Sequence, residues 1–448
     1  MAPKTISYVA LAMVVARSLA ACGSSDDGSG AAGTGGATGG AGGAGGAGGS
    51  GAGGAGGTGG ASTGGNSSGG ASSTDLCAGP VSDTAPHAMG ALAKPAVGQA
   101  VKDPAFGTTL RRITEAPAGG VIKPMYSTIP AWNADESRFI LYQVDKGHVL
   151  YDGKSYAYIK DLDIQPADLE QVYWHTSDPD ILFYVDGNDL VRYHVGAGTP
   201  EVVHTFSNCT DGPTGSSDPM FMSWDSDTIG LTCDGQVFNY RISTNVVGAA
   251  IAGDPSMGSQ AAPSGSLFYV GGEVRDFDMK LIRTLDLANP AEHASLGRLA
   301  NGHDTYNAAV YDPGPNGSPQ GVLVSHDLTD GTSRAVIGES AGYPYPPSGI
   351  HVSTMAYQAP GWVFVSVVGD HTGQSLLDGE LVLANTNPGG AVCRLAHHRS
   401  FGKDGPQGYW AEPHVSPSPR GTRALFGSDW GGGGSVDTYV IELPTYAP

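Results

Sequence analysis

From about residue 100 onward the apolar positions come in short bursts, such as RFILYQ, ILFYV, GVLVSH, WVFVSV and RALFGS, each bounded by Gly, Pro, Asp or Asn. No long stretch carries a 3.6-residue period, so the pattern predicts short half-buried strands and an all-β domain. A cassette recurs: a turn rich in Pro, Asp, Ser or Gly, three or four apolar residues, then a second strand about ten residues on. It appears as PAWNADESRFILYQ, VYWHTSDPDILFYV, FMSWDSDTIGLTC, SQAAPSGSLFYVGG, YNAAVYDPGPNGSPQGVLVSH, STMAYQAPGWVFVSV and PHVSPSPRGTRALFGSD, starting near residues 130, 172, 221, 259, 306, 353 and 413. A repeat of roughly 40 to 50 residues made of short antiparallel strands describes a propeller, because one four-stranded blade buries both faces only by stacking on its neighbours. Seven cassettes predict seven blades. After the last cassette only TRALFGS and VDTYVIEL remain before the chain ends, while FGTTLRRIT at 106–114 has no cassette of its own. That N-terminal strand is therefore expected to complete the last blade. An eight-bladed ring or a pair of β-sandwiches is the alternative.

Composition changes the picture at the N-terminus. The chain has 70 glycines, many of them before residue 75. It opens MAPKTISYVALAMVVARSLAAC, with Lys4, an apolar stretch from Ile6 to Ala16 and small residues leading to Cys22. This is the layout of an export signal, too short to span a membrane. Leu19, Ala20, Ala21 and Cys22 resemble a bacterial lipoprotein box, in which the Cys carries the lipid; Arg17 departs from the pattern by interrupting the apolar region. Residues 1–21 are then a signal peptide, and 22–75 a Gly/Ala/Ser-rich tether that cannot bury a core and is expected to stay disordered. About 50 flexible residues span roughly 40 Å. The folded domain is expected at 76–448, lipid-anchored through Cys22 to the cell envelope; the alternative is an ordinary signal peptide with a chance Cys and a free secreted protein. Gly23 after the Cys points to the outer membrane or cell surface.

Four further cysteines, Cys77, Cys209, Cys233 and Cys393, lie in a domain expected in an oxidising compartment. Three pairings are open, as are free buried thiols; Cys209 with Cys233 is the local choice, leaving Cys77 for Cys393. The 43 Asp and Glu against 23 Lys and Arg disfavour nucleic acid and anionic lipid surfaces as partners, and suit a soluble monomeric domain.

The candidate chemistry lies at blade entrances. In an extended segment residues i and i+2 face the same way, so Glu412 and His414 in AEPHVS are expected to point together at the start of an innermost strand. His303 in NGHDTYN enters the fifth cassette and His351 in GIHVST the sixth. Imidazole and carboxylate together suit zinc, manganese or a similar divalent ion. His148, His175, His194, His204, His293 and His371 show no such grouping and read as surface or structural. The pair His397 and His398 reads the same way.

These segments resemble oligogalacturonate lyases, seven-bladed propellers in which a catalytic His, a metal-binding His and a late cluster of ligands come from successive blades. GHDTYNAAVYD is similar to the catalytic segment, IHVST to the first ligand segment, and AEPHVSPSPRGTRALFGSD to the late His-x-His segment, with Glu412 in place of a His. The resemblance implies a divalent metal on His351, Glu412 and His414, with Gln407 nearest to the family's Gln ligand although two residues out of place. It implies His303 as base and a nearby cation, for which Arg275 is the candidate, in β-elimination of a uronate-containing glycan. The acidic balance opposes a polyanionic substrate at long range, and the competing expectation is a non-catalytic propeller that binds an envelope protein or glycan. The aromatic loop YPYPP at 343–347 is suited to such a face.

Overall fold

The computed structural model describes residues 75–215, 222–254 and 257–447. The expected signal peptide and lipidation site, Cys22, and the expected tether up to residue 74 lie outside them. Seven antiparallel sheets follow one another along the chain, at 122–161, 173–205, 228–252, 260–284, 294–337, 350–397 and 416–442, and form a seven-bladed propeller. We number the blades one to seven in that order. Most blades are laid down from the axis outward, and blade two shows the gradient: its first strand, Tyr173–Trp174, is buried, and its fourth, Thr199–Thr205, is largely exposed.

Blades are held together face to face. Trp132, Phe139, Leu141 and Val149 of blade one pack with Leu425 and Val440 of blade seven, closing the ring with apolar contact. Val352, Val363 and Val365 of blade six meet Val322, Leu323 and Ile337 of blade five. The ring also closes by hydrogen bonding as the sequence predicts. Thr109–Arg112 pairs with Asp437–Glu442, with Leu110 opposite Ile441. One more strand, Ala100–Lys102, pairs outside it, so blade seven has five strands.

Both expected disulfides are present, Cys77 with Cys393 and Cys209 with Cys233. The first fastens the segment ahead of the closing strands to blade six, where Arg394 also donates its backbone N–H to Val81.

The fifth cassette is displaced by one strand. YNAAVYD falls in the second strand of blade five, Asp304–Val310, and the innermost strand is Ala294–Arg298. The cassette records a turn between two strands, and the hairpin joining the second and third strands has the same signature as one joining the first and second.

Candidate metal centre

Four innermost strands begin at one end of the ring axis, and each delivers a polar side chain there. Blade six places His351 in Ile350–Ser353; blade one places Lys123 in Ile122–Lys123. Blade seven places His414 just before Ser416–Pro417, and blade five places His293 just before Ala294–Arg298. His351, Glu412 and His414 each bring one donor atom into a group within 4.8 Å of one another. Glu412 Oε2 lies 3.3 Å from His351 Nε2 and 3.5 Å from His414 Nε2. Both histidines are buried, and Glu412 is 13% exposed, so the group is reached from its side.

The local backbone brings Glu412 and His414 together differently from an extended strand. Glu412 ends a single 3-10 turn, Gly408–Ala411, and is extended, whereas His414 has φ of 42°, a left-handed conformation that a large side chain rarely adopts. Pro413 accepts a hydrogen bond from Gly427 N–H, fixing this turn against the neighbouring strand. Gly427 also makes room for the site, since a Cβ there would stand 3.3 Å from Lys123 Cβ.

Lys123 is buried, with Nζ 2.9 Å from His414 Nδ1 and donating to Glu412 O at 3.0 Å. Burial, opposed by Glu170 and Glu412, pulls the Lys123 ammonium down to about 8. Burial raises Glu170 to about 7 against the pull of Lys123, and Tyr409 donates to it at 2.6 Å. His414 is held well below the usual imidazole range by burial and then by Lys123. Burial favours protonation of Glu412, but its contacts with His351 and His414 outweigh that and keep it ionised.

The donor set therefore fits a divalent ion. A metal ligand must present a lone pair, and at neutral pH Glu412 is a carboxylate and His414 a neutral imidazole. His414 Nε2 is buried with no hydrogen-bond partner among the described residues, the condition a bound ion would relieve. Ligation at Nε2 puts the ring proton on Nδ1, facing the Lys123 nitrogen, and a lysine held near 8 can meet it as the amine. Two nitrogens and one oxygen suit zinc or manganese better than a hard ion bound by oxygen alone.

His303, Gln407 and Arg275 are not brought to this group. His303 follows the far end of the strand that His293 precedes, and its Nδ1 lies 2.7 Å from Asp327 Oδ2. The displaced fifth cassette is the cause, because it assigned the entrance of blade five to the wrong end of its innermost strand. Gln407 donates from Nε2 to Gly434 O at 2.9 Å, tying two loops together. Arg275 sits on the third strand of blade four, where its Nε donates to Glu273 Oε2 at 2.8 Å.

His293, read from sequence as surface or structural, belongs to the site. Its ring stacks on His351 with centroids 4.8 Å apart, and its Nδ1 is 2.8 Å from Ile350 O. A carbonyl oxygen only accepts, so Nδ1 is the protonated nitrogen that donates here. Lys123 was missed as well. The signal for it was VIKPMY, a lysine inside the apolar entrance to the first cassette. His397 and His398 are buried in blade six, where His398 Nε2 donates to Val367 O.

No protein-family model matches this chain, and no curated protein matches it. Solved structures do. An oligogalacturonate lyase in complex with manganese aligns with a TM-score of 0.55 at 16% identity, over 79% of this chain and 97% of that one. An oligogalacturonate lyase from Vibrio parahaemolyticus aligns with a TM-score of 0.56 at 13% identity, over 78% of this chain and 96% of that one. The likeness is one of fold, and this chain is an oligogalacturonate lyase-like propeller.

Proposed function

We propose that this protein is a metal-assisted lyase of uronate-containing glycans, exported and held at the cell envelope by a lipid on Cys22. The observation that carries the catalytic reading is the convergence of His351 from blade six with Glu412 and His414 from the entrance of blade seven, with His293 and Lys123 packed against them.

A divalent ion held by these three residues would supply Lewis acidity to the sugar carboxylate, making the proton on the adjacent carbon easier to remove. His293 is the base in this reading: its Nδ1–H donates to Ile350 O, which fixes the ring beside His351 and, in the neutral imidazole, leaves the basic lone pair on Nε2. The C–H electron pair becomes a carbon–carbon double bond as the glycosidic C–O bond on the next carbon breaks. Lys123 holds a ligand in place in this reading: as the amine it accepts the His414 Nδ1–H and so keeps Nε2 of that ring turned toward the ion. Its hydrogen bond to Glu412 O and its place over the Tyr409 ring, 5.4 Å from the centroid, fix its position. The anchoring and the envelope location rest on the N-terminal sequence alone.

The test is metal content by elemental mass spectrometry, comparing the protein with a His351→Ala, His414→Ala double variant. About one transition metal per chain, lost in the variant, is expected, together with ultraviolet absorbance from unsaturated product on a uronate polymer. Metal-free protein whose melting temperature ignores chelators would reject the lyase and leave a glycan- or protein-binding propeller.

A further inference from the structure

A cavity of about 550 Å³ opens where blade seven meets blade one, at the opposite end of the strands from the metal-ligand group. Its position follows from register. Arg423 pairs with Glu442 at one end of blade seven's central strands, whereas Pro413, next to His414, bonds Gly427 near the other. The cavity volume lies within the roughly 300 to 1,000 Å³ of small-molecule sites.

The lining inverts the charge of the molecule. Of its 14 residues, Lys102, Arg111 and Lys154 are cations and Glu442 is the one carboxylate; the whole chain has 43 acids against 23 cations. Glu442 is already engaged, by Arg111 at 3.3 Å and by the Tyr156 hydroxyl at 2.9 Å. Behind these, the buried Arg423 guanidinium lies 4.4 Å from the Tyr446 ring centroid and donates to the Tyr446 hydroxyl at 3.2 Å. The Lys154 ammonium makes no hydrogen bond or ion pair among the described residues, and Lys102 Nζ is held only by the Thr109 hydroxyl at 2.8 Å. Two lysines thus line a polar cavity with no carboxylate in hydrogen-bond contact, Asp152 acting on Lys154 only through space. Tyr446, half-buried, adds a flat, amphipathic ring on which a sugar can stack, whereas Tyr156 is buried in the core with Arg111 and Arg423 over its ring and only its hydroxyl engaged with Glu442.

We propose that this cavity is a second carbohydrate site, which binds a carboxylated sugar through Lys102 and Lys154 and stacks it against Tyr446. The choice of a uronate over other anions rests on the uronate reading of the metal centre. A site of this kind offers what that centre needs in an acidic protein: a local foothold for an anionic chain, effective within the Debye length of about 8 Å where the distant net charge is screened.

The experiment is calorimetric titration of the full-length protein with trigalacturonate in excess chelator, which removes any metal-dependent binding at the other site. The expected result is saturable binding that weakens with added salt and falls at least tenfold in a Lys102→Glu, Lys154→Glu variant of unchanged melting temperature. Absence of binding, retention within twofold in the variant, equal binding of neutral maltotriose, or equal competition by sulfate would each overturn the proposal. Because chelator is present throughout, failure of the metal centre as a lyase would leave this result readable, and success here would not rescue the lyase.

Discussion

His293 and His303 differ by ten positions, and the two alternatives for the catalytic base separate cleanly at this scale. The His293→Ala variant is expected to retain its metal and lose lyase turnover by two or more orders of magnitude, the usual worth of a general base. His303→Ala should leave both metal content and turnover unchanged, because its ring is committed to Asp327 at the far end of the blade. Loss of turnover in His303→Ala with retention in His293→Ala, read by product absorbance, would reverse the assignment. A second residue-scale prediction concerns His148, buried in blade one with its Nε2 donating to Leu169 O at 2.7 Å. Burial pushes its pKa down to about 4, with that hydrogen bond opposing, from an ordinary 6.5. Between pH 6.5 and 4 the unfolded chain binds a proton that the folded one refuses, so this group's contribution to stability is lost as pH falls. The slope is up to about 1.4 kcal/mol per pH unit. Denaturant titrations across that range should show His148→Phe with a correspondingly flatter pH dependence. The grouping of His351, Glu412 and His414 was legible in sequence because they stand in or immediately before blade-entry strands. Lys123 was not, since a lysine in an apolar run reads as a solvated interruption until the fold buries it.

At the scale of elements, the closing strand was legible and the assignment of blade five was not. FGTTLRRIT was left over after seven cassettes, and an unpaired strand beside an incomplete blade has one economical partner. Blade five failed because strand order is not written in a hairpin's composition: every hairpin offers polar turn residues between apolar runs. Closure makes its own prediction. Leu110 is fully buried, so Leu110→Ala should cost about 2 to 5 kcal/mol in chemical denaturation. A chain beginning at residue 113 would leave Asp437–Glu442, with Val440 and Ile441, as an unpaired edge. It should sediment as aggregates, whereas a chain beginning at residue 98 keeps both closing strands and should remain monodisperse.

For the whole molecule, the ring is fastened covalently as well as by strand pairing. Cys77 and Cys393 are 316 positions apart, Cys209 and Cys233 only 24. Chain entropy assigns about 3 kcal/mol to the shorter bridge and about 5 to 6 kcal/mol to the longer. Thermal unfolding under non-reducing conditions should therefore show Cys77→Ser destabilised more than Cys233→Ser, with the difference abolished by reductant. Equal melting temperatures would mean that the strap at 75–95 already adheres through its hydrogen bonds to blade six.

The sequence by itself determined the all-β class, the number of blades, the closure by an N-terminal strand and three of the residues in the metal-ligand group. All of these are local or additive: strand periodicity, repeat counting and residue type at a blade entrance. Only the tertiary structure decided which further histidine packs against His351, that a lysine is buried beside His414, and that Glu412 and His414 meet through a left-handed turn. The same holds for the cations that face a cavity in an acidic protein. Those facts depend on which ends of strands share a face of the ring, a relation between residues far apart in the chain that no local pattern records.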